Sequence, residues 1–264
     1  MPDLVLCEIS GAIATITLNQ PDRRNPISED ATIEALLAAI DRVDRDASVR
    51  VAILTGAGSA FSTGGDLRQM AAPGGLGVGE PAETRRQYAH GIQRLPLAFE
   101  ALEVPVIAAV NGPAIGAGCD LACMCDLRIA AESARFAESF VKVGLIPGDG
   151  GAWLLPRVVG FSKACEMALT GDLLDAQQAL ACGLVSQVVP DAELMPAAKA
   201  LAERVATNPP HAVRATKRLL RSACGSRLDA VLDMSAAMQA VMHTTQDHRD
   251  ALRKFAEKRR DRSM

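Results

Sequence analysis

The residues able to do chemistry fall in three short stretches. The first is AFSTGGDL at 60–67, the second NGPAIGAGCDLACMCD at 111–126, and the third ESFVKVGLIPGDGG at 138–151. Gly64 and Gly65 in the first, and Gly116 to Gly118 in the second, each follow an apolar run and precede helix-forming residues. Such a strand–turn–helix leaves backbone N–H groups at a helix start with no intrahelical partner, facing the positive end of the helix dipole. Small residues let a ligand approach that backbone closely. The product is a site for an anion, or for an oxygen that becomes one, and two such turns could aim two N–H groups at one oxygen. Carboxylates accompany each turn: Asp66, placed to open a helix, Asp120 in the second stretch, and Glu138 and Asp149 in the third, with Asp149 inside a glycine-rich loop. The helix dipole should lower the pKa of Asp120, whereas burial would raise it.

The elements that must position these residues are readable around them. Residues 106–110 and 51–55 are apolar, partly β-branched runs that suit buried strands. Residues 4–8 and 12–18 flank Ser10-Gly11 and read as a hairpin, and Pro21, Asn25 and Pro26 mark a loop carrying Arg23 and Arg24, cations that could meet a phosphate. Ser28 can cap a helix whose apolar face is Ile33, Leu36, Leu37, Ile40 and Val43, which predicts a β-α-β crossover. Residues 70–82 hold four glycines and two prolines, so a flexible loop is expected there, suited to act as a lid. Ile92, Leu95, Phe99 and Leu102 predict a helix kinked near Pro96. Further on, 127–131 and 134–137 read as strands, 152–159 as a helix, Ser162 as the cap of the next, and Asp175 with Gln178 as a capping box. A last short strand is expected at 186–189. From 192 onward the pattern is helical: Gly225 separates a helix near 212–223 from one long helix from 226 to about 258. Leu228, Val231, Leu232, Met238, Val241 and Met242 on that helix read as core residues, and the tail also suits a subunit interface.

Composition narrows the function classes. The 264 residues are 49% hydrophobic and 22% charged, as expected of a soluble globular chain, and the net charge of -3 gives no pull toward nucleic acid. No apolar run approaches the ~20 residues of a membrane span, and the N-terminus has an early acid and no basic region, unlike a signal peptide. The spacing of Cys119, Cys123 and Cys125 matches no zinc pattern, so no metal is expected. Small core residues in a reducing cytoplasm is the reading for these cysteines.

The wording AFSTGGDL and NGPAIGAGCDLACMCD resembles the enoyl-CoA hydratase/isomerase (crotonase) family, and the resemblance extends over nearly the whole chain. It implies an α/β fold, a spiral of ββα units at 1–191 with a helical trimerisation region at 192–264. It implies an acyl-CoA thioester as substrate, CoA being part of the substrate and no separate cofactor being needed. Carried over position by position, the oxyanion donors fall on the amides of Gly65 and Ala117, with Ala117 in place of the usual glycine. The two glutamates of the family's hydratases fall on Asp120, a shorter carboxylate, and on Phe140, which cannot transfer protons. Asp149 and Glu138 are the nearest substitutes; the dienoyl-CoA isomerase branch is similar in having aspartates at or next to the positions of Asp120 and Asp149. The loop carrying Arg24, then Thr63 with Asp66 beside it, and Phe255 and Lys258 in FAEKR would meet CoA, the last two from a neighbouring subunit. The resemblance thus implies a cytoplasmic homotrimer or dimer of trimers. Its expected activity is hydration of a 2-enoyl-CoA. The alternatives are double-bond isomerisation using Asp120 and Asp149, and acyl-CoA binding without catalysis.

Overall fold

The computed structural model describes residues 3–70 and 80–261, apart from the side chains of Gln69 and of 258–261. The segment read as a lid lies almost wholly outside the described residues. Two compact units are present, residues 1–203 and 204–264.

The first unit opens with β1 (Val5–Ser10) and β2 (Ile13–Leu18), paired antiparallel with Val5 opposite Leu18. Gly11 makes their tight turn at φ 58°. Helix α1 (Asp30–Arg45) crosses over to β3 (Val51–Gly56), which lies parallel to β2. Its buried face includes Ile33, Leu36, Ile40 and Val43, the predicted stripe. Ser28 is not its cap: Glu29 holds that position, and the Ser28 hydroxyl instead accepts the Asp66 amide at 3.4 Å, drawn into a tie between two loops. After α2 (Leu67–Met70) come α3 (Pro81–His90) and α4 (Arg94–Ala101). The expected kink at Pro96 is absent, because Pro96 sits in the first turn of α4, where its missing N–H has no intrahelical partner to lose. The chain bends at Gly91 instead.

β4 (Val106–Val110) runs between β3 and β6 (Leu127–Ala131), parallel to both. β3 and β4 are buried at every residue, as strands covered on both faces must be, which is why their sequences are continuous apolar runs. Between β4 and β6 the chain leaves the first sheet through Asn111-Gly112, forms β5 (Pro113–Ile115) in a second sheet, and enters α5 (Ala117–Met124). β7 (Arg135–Ala137) repeats the move, pairing with β5 and leading to α6 (Gly151–Val159). This recurrence of strand, short strand in the second sheet, then helix leaves no repeat in the sequence. It is carried by sheet position rather than by residue identity.

Helix α7 (Phe161–Thr170) is capped by Gly160 at φ 78°, not by Ser162, which lies inside its first turn. β8 (Leu174–Asp175) ends in the predicted capping box of α8 (Ala176–Ala181): the Gln178 amide donates to Asp175 Oδ1 at 2.8 Å, and the Asp175 amide to Gln178 Oε1 at 2.9 Å. β9 (Val188–Val189) closes the first sheet against β6, giving the order β1-β2-β3-β4-β6-β9, and α9 (Leu194–Ala206) buries Leu194, Ala198 and Ala202.

The second unit holds α10 (Pro210–Ala223), α11 (Leu228–Thr244) and α12 (Gln246–Asp261). The single long helix expected here is broken at Thr245, which takes extended backbone, and its Oγ1 accepts the His248 amide at 3.2 Å as an N-cap. The apolar residues of α11 do not form a core. Leu228, Leu232 and Val241 are 73%, 59% and 58% exposed, and none of α11 is buried.

Candidate active site

The two glycine turns interlock. The Ser62 amide donates to Pro113 O and the Ile115 amide to Ser62 O, at 3.1 and 3.0 Å. A Cβ on Gly118 would lie 2.1 Å from the Ser62 carbonyl oxygen, so only glycine permits this approach. Gly64, at φ 73°, is equally constrained: a Cβ there would meet Ile115 O at 2.6 Å and Ala117 N at 2.8 Å. The turn into α5 takes its left-handed residue at Gly116, φ 54°, whose amide is held by Ala137 O at 2.8 Å. Ala117 is therefore the first helical residue, a conformation alanine adopts without strain, which is why no glycine is needed there. The amides of Gly65 and Ala117 make no hydrogen bond among the described residues, and both line one cavity of about 130 Å³. Thr63, Tyr88, Phe140 and Asp149 line it too.

Behind this cavity three carboxyls from three segments converge. Asp120 comes from α5, Glu138 from the turn after β7, and Asp149 from the loop before α6. They are 0%, 1% and 3% exposed. The Asp120 carboxyl lies within reach of those of both Glu138 and Asp149. Fully ionised, neither oxygen of Asp120 would have a donor among the described residues, and Glu138 would have only the weakly donating Cys119 thiol, so carboxyls this close call for protons between them. Among the described residues no lysine, arginine or histidine acts on any of the three. Burial is the first cause of the upward shift at each: Glu138 is raised to about 7, Asp149 is raised, and Asp120 is raised well above the carboxylate range with the charges of Glu138 and Asp149 adding to the effect. Burial thus overrides the helix dipole at Asp120. Nor is Asp120 a cap: α5 has no side-chain cap, and a Cβ on Gly151 would strike Asp120 Oδ1 at 2.1 Å, so the carboxyl is packed against the start of α6.

Of the three, Asp149 alone lines the cavity with the two amides. Asp120 and Glu138 stand behind it. The Phe140 ring occupies the cavity wall beside Gly116. Tyr88, the one tyrosine of the chain, is half-buried on the same wall, and its phenol is pushed up by burial and by the charge of Asp149. Nothing local in the sequence marked it, because α3 reaches the cavity only through the fold.

Among the predicted CoA contacts, Arg24 is exposed in left-handed backbone at φ 59°, and its carbonyl accepts the amide and hydroxyl of Thr63 at 3.0 and 3.3 Å. Its guanidinium has no ion-pair partner among the described residues. Asp66 is bound by Arg23 at 2.7 Å, and its Oδ1 accepts the Arg68 amide at 3.0 Å, so it opens α2 as expected. Arg23 also pairs with Glu29. Neighbouring Asn25, φ 55° and 1% exposed, locks this loop by donating to Ala57 O and Ala60 O at 2.9 and 2.8 Å. Phe255 is 63% exposed on α12 in the second unit, and the side chain of Lys258 lies outside the described residues. Among the described residues no group of three or more His, Cys, Asp or Glu is arranged to hold a metal, and no helix is long and apolar enough to cross a membrane.

Residues 8–262 match the family model described as enoyl-CoA hydratase/isomerase. The chain is 38% identical to the 1,2-epoxyphenylacetyl-CoA isomerase of Escherichia coli, over 98% of this chain and 97% of that one. It is 35% identical to the short-chain-enoyl-CoA hydratase of Clostridium acetobutylicum, over 97% and 95% of the two chains. Among solved structures, the enoyl-CoA hydratase of Bacillus anthracis superposes with a TM-score of 0.89 at 34% identity, covering 97% of this chain and 96% of that one.

Proposed function

Because the chain belongs to the enoyl-CoA hydratase/isomerase family and has its crotonase fold, we propose that it isomerises an unsaturated acyl-CoA thioester by proton transfer, with Asp149 as the base. The thioester oxygen is held by the amides of Gly65 and Ala117. Each well-aimed donor stabilises the developing oxyanion by roughly 3–4 kcal/mol, which acidifies the α-carbon. Asp149 takes a proton from C2 of a 3-enoyl thioester. The C–H pair becomes the C1–C2 double bond of a dienolate whose negative charge rests on the bound oxygen. Asp149 then returns the proton to C4, and the product is the conjugated 2-enoyl thioester. No water or redox partner is consumed. A carboxyl raised by burial suits this exchange, since it binds a proton more tightly than an exposed aspartate.

The observation that carries this reading is the single carboxyl on the cavity wall, Asp149, facing a wall that has Phe140 where the family's hydratases carry a glutamate. One carboxyl can shuttle a proton between two carbons, whereas the family's hydratases hold and activate water between two carboxylates. Hydration of a 2-enoyl-CoA is the second reading. It is favoured by the relative named a short-chain-enoyl-CoA hydratase, and it would require Asp149 to activate water without a second carboxyl among the described cavity residues. Supplying a 3-enoyl-CoA and, separately, a 2-enoyl-CoA distinguishes them. Isomerisation creates the conjugated thioester absorbance from the first; hydration removes it from the second. Loss from the second without gain from the first would refute the isomerase reading.

Assembly as a trimer or dimer of trimers accompanies this proposal. The exposed Leu228, Leu232 and Val241 of α11 support it, since apolar side chains this exposed call for a cover. All seven cysteines are unpaired, which fits the reducing cytoplasm.

A further inference from the structure

Three acids with no cation among them are costly to bury unless protons are shared. The contacts fall in a row, Glu138 to Asp120 to Asp149, and only the last reaches the cavity. A row of three carboxyls has two junctions, and one proton at each satisfies both with O–H···O bonds. We propose that Glu138 and Asp120 form a buried, proton-sharing pair behind Asp149, which orients the cavity-facing carboxylate and sets the pH at which it works. The inference rests on the reading of Asp149 as the base. Glu138 and Asp120 are positioning residues in it, since neither touches the cavity.

The arrangement leaves one negative charge for three carboxyls, at the end that meets substrate. When Asp149 accepts a substrate proton the row becomes neutral, and when it returns the proton the charge is restored. The inner two protons stay where they are. Among the described residues the other titratable groups that act on the row are the Cys119 thiol of α5, which hydrogen-bonds Glu138, and the Tyr88 phenol of α3 beside Asp149; α6 meets Asp120 at the Gly151 backbone. The Cys119 thiol is raised by Cys123 beside it and by burial, so it stays protonated and supplies no charge.

An amide imitates a protonated carboxyl in this geometry, having one acceptor oxygen and a donor. Asp120→Asn should therefore keep α-proton exchange of an acyl-CoA within about tenfold of wild type, while Asp120→Ala should fall roughly tenfold or more below Asp120→Asn and shift the pH profile of exchange. Equal losses in the two variants, or an unmoved pH profile in Asp120→Ala, would overturn the proposal. A second measurement does not depend on activity. Infrared difference spectra between wild type and Glu138→Gln, taken from about pH 5 to about pH 8, should contain the carbonyl stretch of a protonated carboxyl that persists toward neutrality in wild type and is lost in the variant. Absence of that band would overturn the shared-proton pair even in a fully active enzyme. If wild type exchanges no α-proton while the band is present, the reading of Asp149 as base fails and the pair stands.

Discussion

Glu138→Gln should change the pH dependence of stability, and its magnitude follows from the buried carboxyl row. In the fold, Glu138 is raised from 4.5 to about 7, chiefly by burial. The native state therefore binds a proton that the unfolded chain has already released. The stability this gives is fully present below about pH 4.5 and is lost as pH rises through about 7. At 1.36 kcal/mol per unit, the loss is about 3 kcal/mol. Glutamine keeps the neutral shape and has nothing to titrate. Asp120 and Asp149, also raised, remain in both proteins; because Glu138 itself raises Asp120, the difference between wild type and variant reads Glu138 together with that coupling. The exposed carboxyls lowered by partners, such as Asp46, Asp172 and Asp191, act in the opposite direction and in a lower window, losing their contribution as pH falls. Urea unfolding of both proteins at about pH 5 and about pH 8 reads most of the effect: wild type should lose about 2.5 kcal/mol relative to the variant between them. A difference that stays constant with pH would refute the argument that burial protonates this site.

Ala117→Pro removes one oxyanion donor at the first helical position, where proline is tolerated, so circular dichroism should stay native while kcat falls roughly 10²–10³-fold. Gly118→Ala pushes a Cβ against the Ser62 carbonyl oxygen, 2.1 Å away, and should cost about 1–3 kcal/mol or more in thermal unfolding as the two glycine turns are forced apart. Light scattering at micromolar concentration should give the mass of a trimer or of two trimers, and Leu232→Glu on the exposed face of α11 should lower it; a monomer mass in the parent protein would exclude the assembly.

Much of the frame was legible because it depends on local physics. β3 and β4 appear as continuous apolar runs since both faces are covered, and the Asp175–Gln178 box is a spacing rule. The glycines of the two turns were legible as turns, but not that Gly118 and Gly64 are there to let the turns touch. Ser28 and Ser162 had the right chemistry for caps and were displaced, Ser28 by a tertiary bond to Asp66. The break at Thr245 falls in a wholly polar stretch, HTTQDHRD at 243–250, with no glycine or proline to mark it. The carboxyl row was hidden most fully. Asp120, Glu138 and Asp149 lie in different segments, and whether each is charged depends on the burial their convergence creates. A helix-start aspartate read alone suggests a stable anion, whereas in the fold it is the middle, proton-holding member. Phe140 was visible as a departure from the family pattern, and the structure shows it on the cavity wall.

The central claim is that Asp149 alone moves the substrate proton, and exchange at C2 of a bound acyl-CoA in deuterated water tests it most directly. Wild type should incorporate deuterium at C2, and Asp149→Asn should slow that exchange roughly 10²–10⁴-fold while leaving acyl-CoA affinity nearly unchanged. Deuterium incorporation by Asp149→Asn at the wild-type rate would contradict it.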